Sequence, residues 1–253
     1  MILLNDNTVT FGCFPNGEIN LPIVGLPLIQ NSIVKLVYDD DYDFFRLALL
    51  KSWLDDMNCR SCLYIAYMPY SRMDRSNGHY AISIKAACTL LNAMRFEQVI
   101  VREPHSQITM DLLKNAESDP WCRDRICKVI AIGNYDSLFF PDYGAITRYQ
   151  GVTSLPTAYG TKNRDFLSGK IDSLELKGTV GRTVLIVDDL CSRGGTFVSG
   201  AKLLMAKGAS SIDLLVAYVE DNVFTGELFD YVDRIYTSTE RMLRNHPRIT
   251  KLL

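Results

Sequence analysis

VLIVDDLCSRGGTF, residues Val184 to Phe197, decides the fold. Its first four residues are all aliphatic, the composition of a strand buried on both faces of a parallel sheet. Asp188 and Asp189 mark the carboxyl end of that strand and Gly194 and Gly195 a tight turn. Thr196 to Lys207 then has helical spacing, closing at Gly208. Open α/β sheets bind ligands at the carboxyl ends of their strands, and a helix start preceded by glycines offers unpaired N–H groups to a phosphate. Ser192 and Thr196 add hydroxyls, and two ionised carboxylates suit the paired hydroxyls of a ribose. Either pair alone reads more simply as a solvated strand end or a plain turn. Together, in this order and spacing, they read as a loop for a ribose 5-phosphate group.

The chain outward from this segment alternates strands with helices, the signature of βαβ units. Asp41 to Met57 carries a helical stripe at Phe44, Phe45, Leu47, Ala48, Leu50 and Leu54, and Cys62 to Met68 is strand-like. Ile82 to Met94 reads as a helix and Gln98 to Val101 as a strand that delivers Glu103, Pro104 and His105 to its end. In the second half, Lys128 to Ile132, Ile212 to Val219 and Arg234 to Thr237 read as strands, with a helix near Thr225 to Tyr231. The expected organisation is α/β, with two halves of similar size, residues 1–135 and 136–253, each a mainly parallel sheet flanked by helices.

Bulk composition narrows the function. A 253-residue chain with 47% hydrophobic and 22% charged residues is globular and buries a sizeable core. Its net charge of -2 gives no general attraction to nucleic acid or an anionic membrane, so a phosphate ligand must be held by local groups. No apolar run reaches the ~20 residues of a membrane helix, and the start MILLNDNTVTF lacks signal-peptide character, so a cytoplasmic address is expected. The seven cysteines are an odd number among apolar neighbours and read as reduced thiols; Cys59 and Cys62 lack the two further ligands of a zinc site.

The Gly-rich loop resembles the phosphoribosyl-diphosphate motif of type I phosphoribosyltransferases and of ribose-phosphate diphosphokinases (PRPP synthetases). Other segments favour the synthetases, because their matches run in the same order along nearly the whole chain. FPNGEINL from Phe14 resembles the segment that reaches a neighbouring subunit's ATP site, and PYSRMDRSNGHYAIS from Pro69 resembles the nucleotide loop. REPHSQI from Arg102 and FPDYGAITR from Phe140 resemble the Asp-Leu-His and Pro-Asp-x-Gly-x-x-x-Arg elements, and Lys162-Asn163-Arg164 the catalytic Lys-x-Arg.

This resemblance implies two phosphoribosyltransferase-like domains and transfer of the β,γ-diphosphate of ATP to the anomeric hydroxyl of a ribose 5-phosphate acceptor. It assigns Lys162, Arg164 and His105 to catalysis and Phe14, Asn16, Glu18, Arg72, Asp74 and His105 to ATP. Asp188, Asp189, Ser192, Arg193, Gly194, Gly195 and Thr196 take the ribose phosphate, and His105 and Asp142 take Mg2+. It also implies a homo-oligomer with shared ATP sites and no nucleic-acid or membrane partner. Two rivals share the loop: a type I phosphoribosyltransferase that uses PRPP, and a non-catalytic regulatory relative of the synthetases.

The chain departs from the family pattern in the loop itself, where Ser192-Arg193-Gly194 replaces Asp-Ser/Thr-Ala/Gly, so that a carboxylate is lost and a guanidinium gained. Glu103-Pro104 stands for Asp-Leu, Met73 for a glutamine and Ala145 for a glycine, and the stretch between Asp142 and Lys162 is trimmed. The added cation suits a larger acceptor ending in ribose 5-phosphate, such as ADP-ribose, with Arg193 on its second phosphate.

Overall fold

The computed structural model describes residues 1–76, 78–164, 171–240 and 244–252, with only the backbone of 162–164 and 171–174. The chain divides into two compact units, Met1–Asp119 and Pro120–Leu253. No helix among the described residues is long and apolar enough to cross a membrane.

The first unit opens with β1 (Ile2–Leu4) and β2 (Asn7–Thr8), then a separate two-stranded ribbon, β3 (Gly12–Cys13) and β4 (Ile19–Asn20). Next come β5 (Asn31–Leu36), α1 (Tyr42–Asp56), β6 (Arg60–Ile65), α2 (Ser83–Ala93), β7 (Val99–Arg102), α3 (Gln107–Leu112) and β8 (Ala116–Asp119). The sheet runs β2-β1-β5-β6-β7-β8 and is parallel from β5 to β8. Its strands alternate: Val34, Leu36, Leu63 and Ile65 are buried in one core with Leu47, Leu50 and Leu54 of α1 and Ile84, Ala87 and Leu91 of α2. On the opposite face Lys35 lies over the ring of Tyr64, beside Ile33, Cys62 and Ile100.

The second unit holds α4 (Trp121–Gly133), β9 (Ser137–Phe140), α5 (Tyr143–Tyr149), β10 (Thr157–Arg164), β11 (Ile171–Gly178), β12 (Thr183–Cys191) and α6 (Gly195–Ala206). After these come β13 (Ser211–Val219), a 3-10 turn (Asp221–Thr225), α7 (Leu228–Tyr231), β14 (Arg234–Thr237) and β15 (Ile249–Lys251). The sheet order is β11-β10-β9-β12-β13-β14-β15, parallel except for the β10–β11 hairpin. Both faces are covered. Val184, Ile186, Leu214 and Val216 pack in one core with Phe197, Ala201 and Leu204 of α6, while Leu185, Val187, Leu215 and Ala217 pack with Cys122, Ile126 and Val129 of α4. This is why β12 reads as a continuous apolar run, whereas the first unit's strands alternate.

Three sequence expectations need correction. Lys128 to Ile132 is the last part of helix α4, not a strand: its apolar residues extend the stripe of Trp121, Cys122 and Ile126, and the helix ends where Asn134 turns left-handed at φ 52°. The compact units meet at Asp119/Pro120 rather than after residue 135, because α4 packs on the second sheet. The helix expected near Thr225 to Tyr231 is split at Gly226 into a 3-10 turn and α7.

Candidate active site

The loop of β12 forms where the carboxyl edge of the second sheet opens. Gly194 holds φ 82° at the start of α6, and a Cβ there would lie 2.9 Å from Leu228, so glycine is required both by conformation and by space. Gly195 meets nothing within 4 Å, which leaves the helix start accessible to a ligand. The residue side chains of the loop divide accordingly: Ser192 is half-buried, while Arg193 and Thr196 are exposed.

The paired aspartates are less free than a solvated strand end. Asp188 and Asp189 are both buried, and the amide of Asp189 donates to Asp188 Oδ1 at 2.9 Å. Arg148, on the last turn of α5, donates from one nitrogen to Asp188 Oδ1 at 2.9 Å and to Asp189 Oδ1 at 3.0 Å, and its guanidinium lies 5.5 Å from the Tyr149 ring centre. Burial drives the Asp188 carboxyl well above the usual carboxylate range; the charge of Asp189 adds to this, Arg148 opposes it, and Asp142 contributes a further rise. Asp142 itself follows β9 and caps α5, accepting from the Ala145 amide at 3.0 Å.

Two carboxylates thus share one guanidinium at this edge, with the charge of Asp142 near enough to act on Asp188. Among the described residues no three His, Cys, Asp or Glu side chains are grouped so that they could hold a metal ion. A single carboxylate can still serve Mg2+, which takes one or two and completes its shell with water and substrate phosphate oxygens, and Asp142, one oxygen of which caps α5, is the residue at this edge that could supply it.

Arg148 was contained in the segment FPDYGAITR, but its partners could not be read from it, because they lie 40 and 41 residues away. Removing it strips two mostly buried carboxylates of their shared cation. Arg148→Met is expected to lower the unfolding free energy by about 2 kcal/mol and catalytic efficiency by about a hundredfold. Denaturant unfolding and steady-state rates check this; a stable variant with unaltered kinetics would show that the bridge is incidental.

In the first unit the loop after β6 and the end of β7 approach one another. Asp74 is buried, and burial would raise its carboxyl, but the Arg75 guanidinium, which donates to its Oδ1 at 3.1 Å, and the charge of His105 help to outweigh it and hold it below the usual range. His105 therefore shares its surroundings with Asp74, and Arg72 is exposed on the same loop. Two non-glycine residues here are left-handed: Tyr70 at φ 62° and Glu103 at φ 44°, the latter directly before Pro104. Such conformations are costly and concentrate at ligand-binding loops. Tyr70 is fixed by Asp41, which also accepts from Tyr38 at 2.7 Å, and by Phe44, whose ring stacks on it.

Phe14, Asn16 and Glu18 lie at the exposed tip of the β3–β4 ribbon, closed by Gly17 at φ 90° and by the Phe14 amide donating to the Glu18 carbonyl at 2.8 Å. Phe14 is thus surface, with 53% of it exposed, rather than core. Lys162 and Arg164 lie on β10, opposite Leu174 and Ile171 of β11; their side chains lie outside the described residues. Of the two residues expected at the metal, His105 belongs to the first unit and Asp142 to the second.

No family model matches the chain. It is 30% identical over 216 residues to the ribose-phosphate pyrophosphokinase of Sulfurisphaera tokodaii, covering 79% of this chain and 72% of that protein. It is 29% identical over 215 residues to the protein of the same name from Saccharolobus solfataricus, with the same shares covered. Among solved structures, the phosphoribosylpyrophosphate synthetase of Mycobacterium smegmatis matches with a TM-score of 0.76 at 17% identity, covering 97% of this chain and 85% of that one, so the two share a fold. With the loop, the paired sheets and a relative at this identity in agreement, the chain belongs to the ribose-phosphate pyrophosphokinase family.

Proposed function

We propose that the protein transfers the β,γ-diphosphate of ATP to the anomeric hydroxyl of a ribose 5-phosphate group, releasing AMP. The observation that carries this reading is the accessible helix start at Gly194 and Gly195, one turn of chain beyond two buried aspartates held by Arg148. The loop amides and the hydroxyl of Thr196 bind the acceptor's phosphate, and Asp188 and Asp189 accept hydrogen bonds from its ring hydroxyls.

In the reaction a bond forms between the anomeric oxygen and the β-phosphorus, and the bond from that phosphorus to the α,β-bridging oxygen breaks. The proton of the anomeric hydroxyl is released and the electron pair of the broken bond leaves with AMP. Negative charge gathers on the transferred oxygens, so the protein acts through position and charge. Lys162 and Arg164 supply cations over the phosphates, while Arg72, Asp74 and His105 orient ATP. Asp142 and His105 would hold Mg2+, which when bound neutralises phosphate charge. The exposed tip of Phe14, Asn16 and Glu18 suits adenine recognition in a neighbouring copy, which makes the active form an oligomer.

The finer reading is that the preferred acceptor is larger than ribose 5-phosphate and of the ADP-ribose kind. Arg193 supports it: an exposed cation on the phosphate loop is available to a second phosphate. The test is to incubate the purified protein with ATP, Mg2+ and each acceptor and to resolve products by mass. AMP together with a diphosphorylated sugar is expected. Diphosphate released from PRPP and a base, with ATP ignored, would establish the transferase instead, and no turnover with any acceptor would favour a regulatory role.

A further inference from the structure

Tyr70 opens a tight turn in the nucleotide loop, and the side chain that holds it comes from another element. The amide of Met73 donates to the Tyr70 carbonyl at 2.9 Å, which closes a turn with Ser71 and Arg72 at its centre. Tyr70 enters this turn at φ 62°, a left-handed backbone that a bulky residue adopts only at a cost. Ser71 gives the turn no hydroxyl anchor, since its Oγ is buried and meets no hydrogen-bond partner among the described residues.

The anchor lies at the start of α1. Asp41 follows β5, the neighbour of β6 in the sheet, so it stands at the same carboxyl edge as the loop after β6. Its Oδ1 accepts from the Tyr70 hydroxyl and, at 2.7 Å, from that of Tyr38. The rings of Tyr38, Phe44 and Tyr70 lie 6.0 to 6.4 Å apart, centre to centre, so the two hydroxyls converge from one aromatic cluster. The bonds from Tyr70 and then Tyr38 hold the Asp41 carboxyl below its usual range, which makes it a charged acceptor at neutral pH. Asp41 is exposed and its side chain makes no capping bond to α1, so the helix loses no hydrogen bond when that side chain is replaced.

We infer that Asp41 is a positioning residue for ATP, which, by holding Tyr70, keeps the turn in the form that presents Arg72 to the nucleotide. The inference rests on the reading of this loop as the ATP loop. A turn that is in its binding form for only part of the time weakens affinity by that fraction and leaves the bound complex as it was.

The full chain is tested as Asp41→Ala, Asp41→Asn, Tyr70→Phe and the double variant Asp41→Ala/Tyr70→Phe, each first shown to melt as a folded protein. Asp41→Ala is expected to raise the KM for ATP about tenfold, the effect of one hydrogen bond to a charged group, with kcat and the KM for the acceptor within about twofold of the parent. Calorimetric titration with ATP and Mg2+, without acceptor, should show the same loss with no turnover. Tyr70→Phe, which keeps the ring, should reproduce most of it, and carries the test alone if Asp41→Ala fails to fold. The double variant should be no worse than Asp41→Ala, because both remove one interaction. Asp41→Asn, whose amide oxygen still accepts a hydroxyl, should recover part of the affinity. Unchanged ATP affinity in the folded single variants, or losses that add in the double variant, would overturn the inference. If the parent itself neither binds ATP nor forms AMP, the ATP-loop reading falls and the inference falls with it.

Discussion

Lys162→Ala is expected to lower the rate of AMP formation by about a thousandfold while the protein stays folded, since losing one preorganised charge at a phosphoryl group costs roughly this much. Residue 162 is a rung of the β10–β11 ladder, paired with Leu174, and the ladder is built from main-chain groups that alanine also provides. Alanine therefore keeps the ladder's main-chain groups, and in the proposed reaction lysine supplies a cation for the charge that develops on the transferred diphosphate. Lys162→Arg should recover part of the rate, because charge is restored without the point geometry of an ammonium. Single-turnover rates read beside a circular-dichroism melt make the check. A fall of less than tenfold in the alanine variant would remove Lys162 from the chemistry.

Asp188→Asn is expected to abolish most activity, by about a hundredfold or more, and at the same time to stabilise the fold at neutral pH. Burial is the first cause of the raised Asp188 carboxyl, and the charge of Asp189 the second. The sign follows from linkage. A carboxyl whose folded value lies above its unfolded value near ~3.9 contributes stability that is complete below that unfolded value. That contribution is lost as pH rises through the folded value, because the folded state then holds an ionised, desolvated group. Asparagine carries no such charge, so the variant's advantage in thermal midpoint should be small near pH 4 and grow toward neutrality. The interaction with Arg148 works against this gain, which is why melts must be followed over the whole pH range. A midpoint that falls below the parent at neutral pH would mean that the ion pair outweighs the burial. The aspartate persists, on this reading, because accepting two sugar hydroxyls is worth more to the protein than the stability it forgoes.

The parts of the site that were legible in the chain are those made by neighbouring residues. The aliphatic run Val184 to Val187, the glycines at Gly194 and Gly195 and the helix after them were readable because strand burial, left-handed turns and helix starts depend on a few adjacent residues. Helix α1 and the end of β7 were readable for the same reason. Helix α4 misled because KVIAI, taken alone, has the apolar density of a short strand, and only the upstream stripe from Trp121 discloses its helical period. Strand β15 and the β10–β11 hairpin depend on which edges of the sheet remain to be paired, which no local window contains.

What the amino-acid order determined by itself is the α/β alternation, the phosphate loop and the family pattern, all carried by short-range spacing. What only the tertiary structure decided is how the loop's charges are partnered. Arg148 bridges Asp188 and Asp189 from another helix, Glu220, just after the next strand, accepts a hydrogen bond from Ser192, and His105 and Ser106 stand beside Asp74. Hydrogen bonds and ion pairs act over a few ångströms of space regardless of separation along the chain, so the folding of the sheets, and not the spacing of the residues, selects them.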